Sequence, residues 1–277
     1  DLRIWEAVVY ALFGGAAELL PISFNGHAAI LKSAFHMTGL AEGGGYYVRA
    51  AICLGVLLAL RVGLRSEAAP FMRRTLPRGG RRRTGRYDPL ERREKMLCAC
   101  ALVPMLISLI FTSRAERLGS ARLIALLFAV NALLIAVCSA RKQGEKTEKN
   151  ALFFEVLLIG AVRGASVFPG LSSFGSSICL GRVCGFSEQY NLRFAYRVTF
   201  AYQIAAFFYY LIRAFVFGSF SGMILLAMLL AALTASVTGY LAIQYFRYLS
   251  MRKKLSVFSF YCWGAAAIVL ILALINA

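Results

Sequence analysis

The sequence contains only two histidines, His27 and His36, which excludes a histidine-rich zinc or haem centre. Acids are also scarce, 13 Asp plus Glu against 31 Lys plus Arg, and Glu18 is the single acid in an apolar stretch that could serve a serine–histidine–acid triad. Charged residues make up 16% of the chain and hydrophobic ones 60%, with a mean hydropathy of +0.68, which excludes an ordinary soluble domain. The cysteines, Cys53, Cys98, Cys100, Cys138, Cys179, Cys184 and Cys262, are odd in number and scattered, mostly through apolar segments. They form no disulfide framework and no zinc spacing, and read as small packing residues. The excess of positive charge does not point to nucleic acid, because the basic residues cluster between apolar runs, the pattern of membrane topology.

What is present is an all-α polytopic membrane protein. A bilayer core of about 30 Å needs roughly 20 residues of helix, and six segments approach that length: 46–64, 96–112, 123–140, 198–217, 223–246 and 257–275. The connection 61–95 carries twelve basic residues around a Gly/Arg-rich centre, "RGGRRRTGR", that is expected to be mobile. Connections 141–149 and 247–254 carry four each, whereas the opposite side holds six. The positive-inside bias predicts cytoplasmic basic connections and external termini. The chain starts at Asp1, and no basic region with a small-residue cleavage site precedes the first apolar run, so that run is expected to belong to the fold.

Two apolar stretches remain, 4–31 and 151–180. Each is interrupted in its second half, the first by Pro21 and Gly26, the second by Pro169, Gly170 and Gly175. Proline removes a backbone donor, glycine lets the chain reverse, and non-helical backbone at membrane depth survives only against protein or a wet cavity. Both stretches are therefore expected to be re-entrant helix-turn-helix hairpins. "LPISFNGHAAIL" aligns with "FPGLSSFGSSICL" when Gly170 is counted as inserted, which pairs Pro21, Ser23 and Gly26 with Pro169, Ser172 and Gly175. Each hairpin precedes three spans, an odd number, so residues 1–149 and 150–277 are expected to form an inverted-topology repeat.

Ionisable residues inside membrane segments are functional candidates. Glu18 and His27 bracket the first break, with Ser23 and Asn25 between them. Two readings stay open: these groups satisfy turn amides or each other, or they hold a cation, move protons and bind or attack phosphate. In the second break, Ser172, Ser173, Ser176 and Ser177 flank Gly175 at a helix start, an anion-site pattern that also suits ordinary serine packing. Arg163, six residues before Pro169, is a fixed cation suited to phosphate. Arg49, Arg193 and Arg197 are expected to ion-pair or snorkel, and His36 to sit at the interface. An anionic, phosphorylated ligand is the best chemical match.

"GGAAELLPISFNGH" and "FPGLSSFGSSI" resemble the two motifs of the undecaprenyl-diphosphate phosphatase family, membrane enzymes associated with bacitracin resistance. The first motif is a glutamate-rich helix running into Pro-(Val/Ile)-Ser-Ser-x-Gly-His, the second Pro-Gly-x-Ser-Arg-Ser-Gly-x-Thr-Ile. "AICLGVLLAL" and "FSFYCWGAAAIV" extend the likeness over almost the full chain. The resemblance implies six spans plus two re-entrant hairpins in an inverted repeat, a bacterial inner-membrane location, and hydrolysis of the C55 isoprenyl diphosphate to its monophosphate at the outer face with Mg²⁺. It implies catalytic roles for Glu18, Ser23 and His27, with Glu18 also the metal ligand, and a phosphate site at Ser172, Gly175 and Ser177; the chemistry of the residues themselves adds Arg163, Ser173, Ser176 and Asn25 to the expected phosphate-binding set. The expected partners are a polyprenyl mono- or diphosphate, the membrane and a second copy of the chain.

The chain departs from those motifs. Gly14 stands for the first glutamate, Phe24 for the second serine, Ser173 for the arginine and Ser177 for the threonine, while Arg49 and Arg193 stand for glutamates and Arg163 for glutamine. Fewer carboxylates hold Mg²⁺ less well, and arginines can neutralise phosphate instead. The main expectation is hydrolysis of a polyprenyl diphosphate; the alternative is a non-hydrolytic binder or transporter of a polyprenyl phosphate or another anion on the same scaffold.

Overall fold

A computed structural model of the chain describes residues 3–35, 37–40, 44–64, 89–117, 119–218 and 220–275. These contain ten α-helices: α1 (Ile4–Ala17), α2 (Phe24–Ala34), α3 (Gly44–Gly63), α4 (Pro89–Arg117), α5 (Ala121–Ala140), α6 (Phe153–Gly164), α7 (Ser173–Val183), α8 (Glu188–Phe217), α9 (Gly222–Met251) and α10 (Ser256–Ile275). Among the described residues there is no strand beyond one isolated bridge, Lys146 with Phe186. The "RGGRRRTGR" centre of the long basic connection and His36 lie outside the described residues.

Helices α3, α4, α5, α8, α9 and α10 are long and apolar enough to cross a membrane. They carry the six apolar segments of the sequence, but α4 starts at Pro89 and α8 at Glu188, well before the apolar runs begin. The charged N-terminal parts of these helices are held by paired charges. Buried Glu94 meets Arg193 at 3.1 Å and Arg197 at 2.5 Å, and Arg193 also meets Glu148 at 2.5 Å. A buried charge without such a partner would carry a heavy desolvation penalty. Serine punctuates the chain in the same way: Ser23, Ser120, Ser172, Ser187 and Ser221 each cap the helix that follows, satisfying a first-turn amide.

Large apolar side chains such as Leu126, Leu133, Ile212, Phe215, Leu229 and Phe260 point outward, as a lipid-facing surface requires. All seven cysteines are free thiols, and five of them are buried as packing residues. Helix α3 packs on both α8 and α9, and α5 on α10. The short helices insert crosswise: α1, from the first half of the chain, packs on α9 of the second, and α6, from the second half, packs on α4 of the first. Small residues allow this close approach. A Cβ on Gly15 would collide with the Ala235 backbone, and one on Gly160 with the Ala101 carbonyl.

Candidate functional site

The two breaks in the apolar stretches meet. Helix α1 ends at Ala17 with Glu18 at its C-cap, and the chain turns through Pro21 before Ser23 caps α2. Helix α6 passes through a 3-10 turn, Ala165–Val167, before Pro169 and Gly170, whose φ of +115° suits glycine and strains other residues. Each capping serine then reaches into the other turn. Ser23 Oγ accepts from Gly26 N at 3.1 Å and from Gly170 N at 3.0 Å. Ser172 Oγ accepts from Gly175 N at 3.0 Å and donates to the Leu20 carbonyl at 3.2 Å.

Asn131, buried in the middle of α5, ties the pair together. Its Nδ2 donates to the Pro21 carbonyl at 3.2 Å and its Oδ1 accepts from Ser172 N at 3.0 Å. Asn25 Nδ2 adds a bond to the Ser166 carbonyl at 3.0 Å. The Asn131→Ala variant is expected to leave the buried Ser172 N–H unpaired and the Pro21 carbonyl with only the Cys262 thiol, and to lose about 1–3 kcal/mol of stability. Thermal unfolding in detergent reads this; an unchanged Tm would mean that the turns hold without Asn131.

The crossing places the starts of two helices, α2 at Phe24 and Asn25 and α7 at Ser173, on one cavity of about 40 Å³. Helix N-termini present backbone N–H groups and positive dipole ends to an anion. Glu18 lines the same cavity, its Oε2 accepting from Gln203 Nε2 of α8 at 2.8 Å. Arg49 of α3 lines it too, and is buried. Its Nε donates to Tyr10 Oη and its Nη1 to Tyr210 Oη, both at 3.0 Å, and its guanidinium lies 5.4 to 6.0 Å from the ring centres of Tyr210, Phe24 and Tyr10. Thr112 Oγ1 of α4, buried without a hydrogen-bond partner, also lines the cavity, and a buried polar group of this kind calls for a ligand or water.

The expected site residues therefore divide. Glu18, Asn25 and Ser173 line the cavity. Ser23 and Ser172 lie beneath it as fully buried caps, and Gly175 packs against Pro21, where a Cβ would come within 2.8 Å of the Pro21 Cβ. His27 does not line the cavity. Its Nδ1 meets the Ser23 carbonyl and its Nε2 Tyr261 Oη, both at 2.6 Å, and its ring stacks with those of Phe13 and Tyr261. Arg163 does not line it either: buried between α6, α7 and α8, it donates to Ser177 Oγ at 3.1 Å and to Thr199 Oγ1 at 2.8 Å. Ser176 and Ser177 are buried on α7, their hydroxyls donating to the Ser173 and Phe174 carbonyls. The cation in the cavity is Arg49, which sequence reasoning assigned to pairing or snorkelling; Gln203 was missed altogether, although a lone amide in an apolar run is a detectable signal.

Among the described residues, no group of three or more His, Cys, Asp and Glu converges, and Glu18 is the one carboxylate lining the cavity. Divalent cations want several charged oxygens, whereas Glu18 is already hydrogen-bonded by Gln203 and shares the cavity with Arg49. This donor set does not fit Mg²⁺.

Comparison with known proteins gives a match to the family described as "Bacitracin resistance protein BacA" over residues 7–268. An undecaprenyl-diphosphatase of Methanobrevibacter smithii is 25% identical over 276 residues, 97% of each chain. One of Carboxydothermus hydrogenoformans is 23% identical over 274 residues, 98% of each, and one of Treponema denticola is 25% identical over 267 residues, 94% of each.

Proposed function

The chain belongs to the bacitracin resistance protein BacA family, and from that membership we infer that it hydrolyses undecaprenyl diphosphate, or a related polyprenyl diphosphate, to the monophosphate in the membrane. The observation that carries this reading is the cavity itself, where two helix starts, Arg49 and an unpartnered Thr112 hydroxyl face one carboxylate, Glu18. Arg49, the Ser173 hydroxyl and the first amides of α2 and α7 hold the phosphoryl oxygens, while the Asn25 side chain holds the two turns together. Glu18 takes the proton of an attacking water as its oxygen bonds to the terminal phosphorus. The bond from that phosphorus to the bridging oxygen breaks, releasing inorganic phosphate and leaving the lipid monophosphate. Ser23 and His27 position the crossing rather than touch substrate.

The same reading makes the broken helix pairs, 4–31 and 151–180, re-entrant hairpins of an inverted repeat. Its support is the exchange in which α1 packs on α9 and α6 on α4, with each capping serine bonded to the other turn. The cavity draws on the first part of α3, the end of α4 and the later part of α8, away from the end of α3 and the start of α4, which lead into the longest basic connection. With those connections cytoplasmic by the positive-inside bias, the cavity lies toward the outer face of the bacterial inner membrane.

Inorganic phosphate released from C55 diphosphate by the purified protein tests the function. Release that rises with protein and vanishes on heat denaturation is the expected result. Saturable binding of the lipid without release would leave a binder or transporter on this scaffold instead.

A further inference from the structure

A diphosphate brings several negative charges into a cavity that already holds a carboxylate, and those charges must be neutralised before a nucleophile can approach the phosphorus. Divalent metal is one means, and the residues lining this cavity do not fit one. A fixed cation is the other. Arg49 enters the cavity from α3 clamped by two tyrosine hydroxyls, at 3.0 Å each, and surrounded by the rings of Tyr10, Phe24 and Tyr210. That cradle holds a guanidinium in one orientation, and a planar guanidinium is the group best shaped to meet phosphate oxygens. Phe24 is part of the cradle, so an aromatic at the start of α2 and an arginine on α3 form one unit.

We propose that Arg49, seated on Phe24, Tyr10 and Tyr210, supplies the charge that neutralises the substrate phosphate, so that this site works on its lipid diphosphate without a divalent cation. The proposal rests on the hydrolytic reading of the cavity, and the test separates the two. Purified full-length chain in detergent, stripped with EDTA, is assayed for phosphate release from C55 diphosphate with and without added Mg²⁺. Equal release in both is expected. Release only with Mg²⁺ overturns the proposal and leaves the hydrolytic reading standing; this comparison uses the unmodified chain and does not depend on a variant folding.

Absence of release in both conditions overturns the hydrolytic reading, and binding then decides the role of Arg49. Undecaprenyl monophosphate titrated in EDTA is expected to bind about 10- to 100-fold more weakly to Arg49→Gln than to the unmodified chain. Arg49→Lys, which keeps the charge but not the fork, is expected between them. Equal affinity for the unmodified chain and a folded Arg49→Gln overturns the proposal.

Discussion

Glu18→Gln is expected to reduce the kcat for phosphate release by about 10²- to 10⁴-fold, the usual contribution of a positioned general base. The substitution is nearly isosteric, and the glutamine carbonyl can still accept from Gln203 Nε2, the bond that holds Glu18 at 2.8 Å in the protein. The main change is the loss of the one carboxylate that lines the cavity among the described residues. Losing a negative charge also removes repulsion toward an anionic substrate, so KM should stay level or fall while kcat collapses. That split marks a group acting in the transition state rather than in binding. Steady-state kinetics on C55 diphosphate, with Tm as the folding control, provide the measurement. Activity within a few-fold of the unmodified chain would remove Glu18 from the chemistry.

The spans were legible because hydropathy and length are properties of each segment alone, and membrane depth permits few alternatives to helix. Only their ends were misplaced. The N-terminal parts of α4 and α8 are charged, and they are held by pairing of Glu94 with Arg193 and Arg197, a contact across 99 or more positions in the chain that no local pattern contains. The breaks at Pro21 and Pro169 were legible too, from backbone chemistry.

Which side chains face the cavity was harder to read, because that depends on the rotation of each helix once packed. Asn25 and His27 sit two positions apart on α2, yet one lines the cavity and the other turns to Tyr261 of α10. Arg49 and Arg163 are both arginines in apolar runs, and the sequence ranked them in the reverse order of their closeness to the cavity. The neighbours that decide this, Tyr10 and Tyr210 for Arg49 and Ser177 and Thr199 for Arg163, come from other elements. Side-chain amides buried in the spans were the better signal: Asn131 ties the crossing together and Gln203 holds Glu18 in the cavity.

Arg163→Ala is expected to act on stability rather than on substrate affinity. The guanidinium is buried, donates to Ser177 and Thr199, and so joins α6 to α7 and α8 behind the cavity. Ser177 and Thr199 keep their own bonds to the Phe174 and Ala195 carbonyls, so their hydroxyls do not become orphans. What is lost is the compensation between the Arg163 and Glu18 charges and the volume of a long side chain in a packed interface. The two lost side-chain hydrogen bonds and the void together cost about 2–5 kcal/mol. Arg163→Met, which fills most of the volume, should therefore recover part of the lost Tm but not all of it. In both variants, the KM of the molecules that remain folded should stay near that of the unmodified chain, because the side chain does not line the cavity. A raised KM with an unchanged Tm would put the Arg163 guanidinium on the phosphate, and Arg49 would then lose its claim to be the cation that meets the substrate.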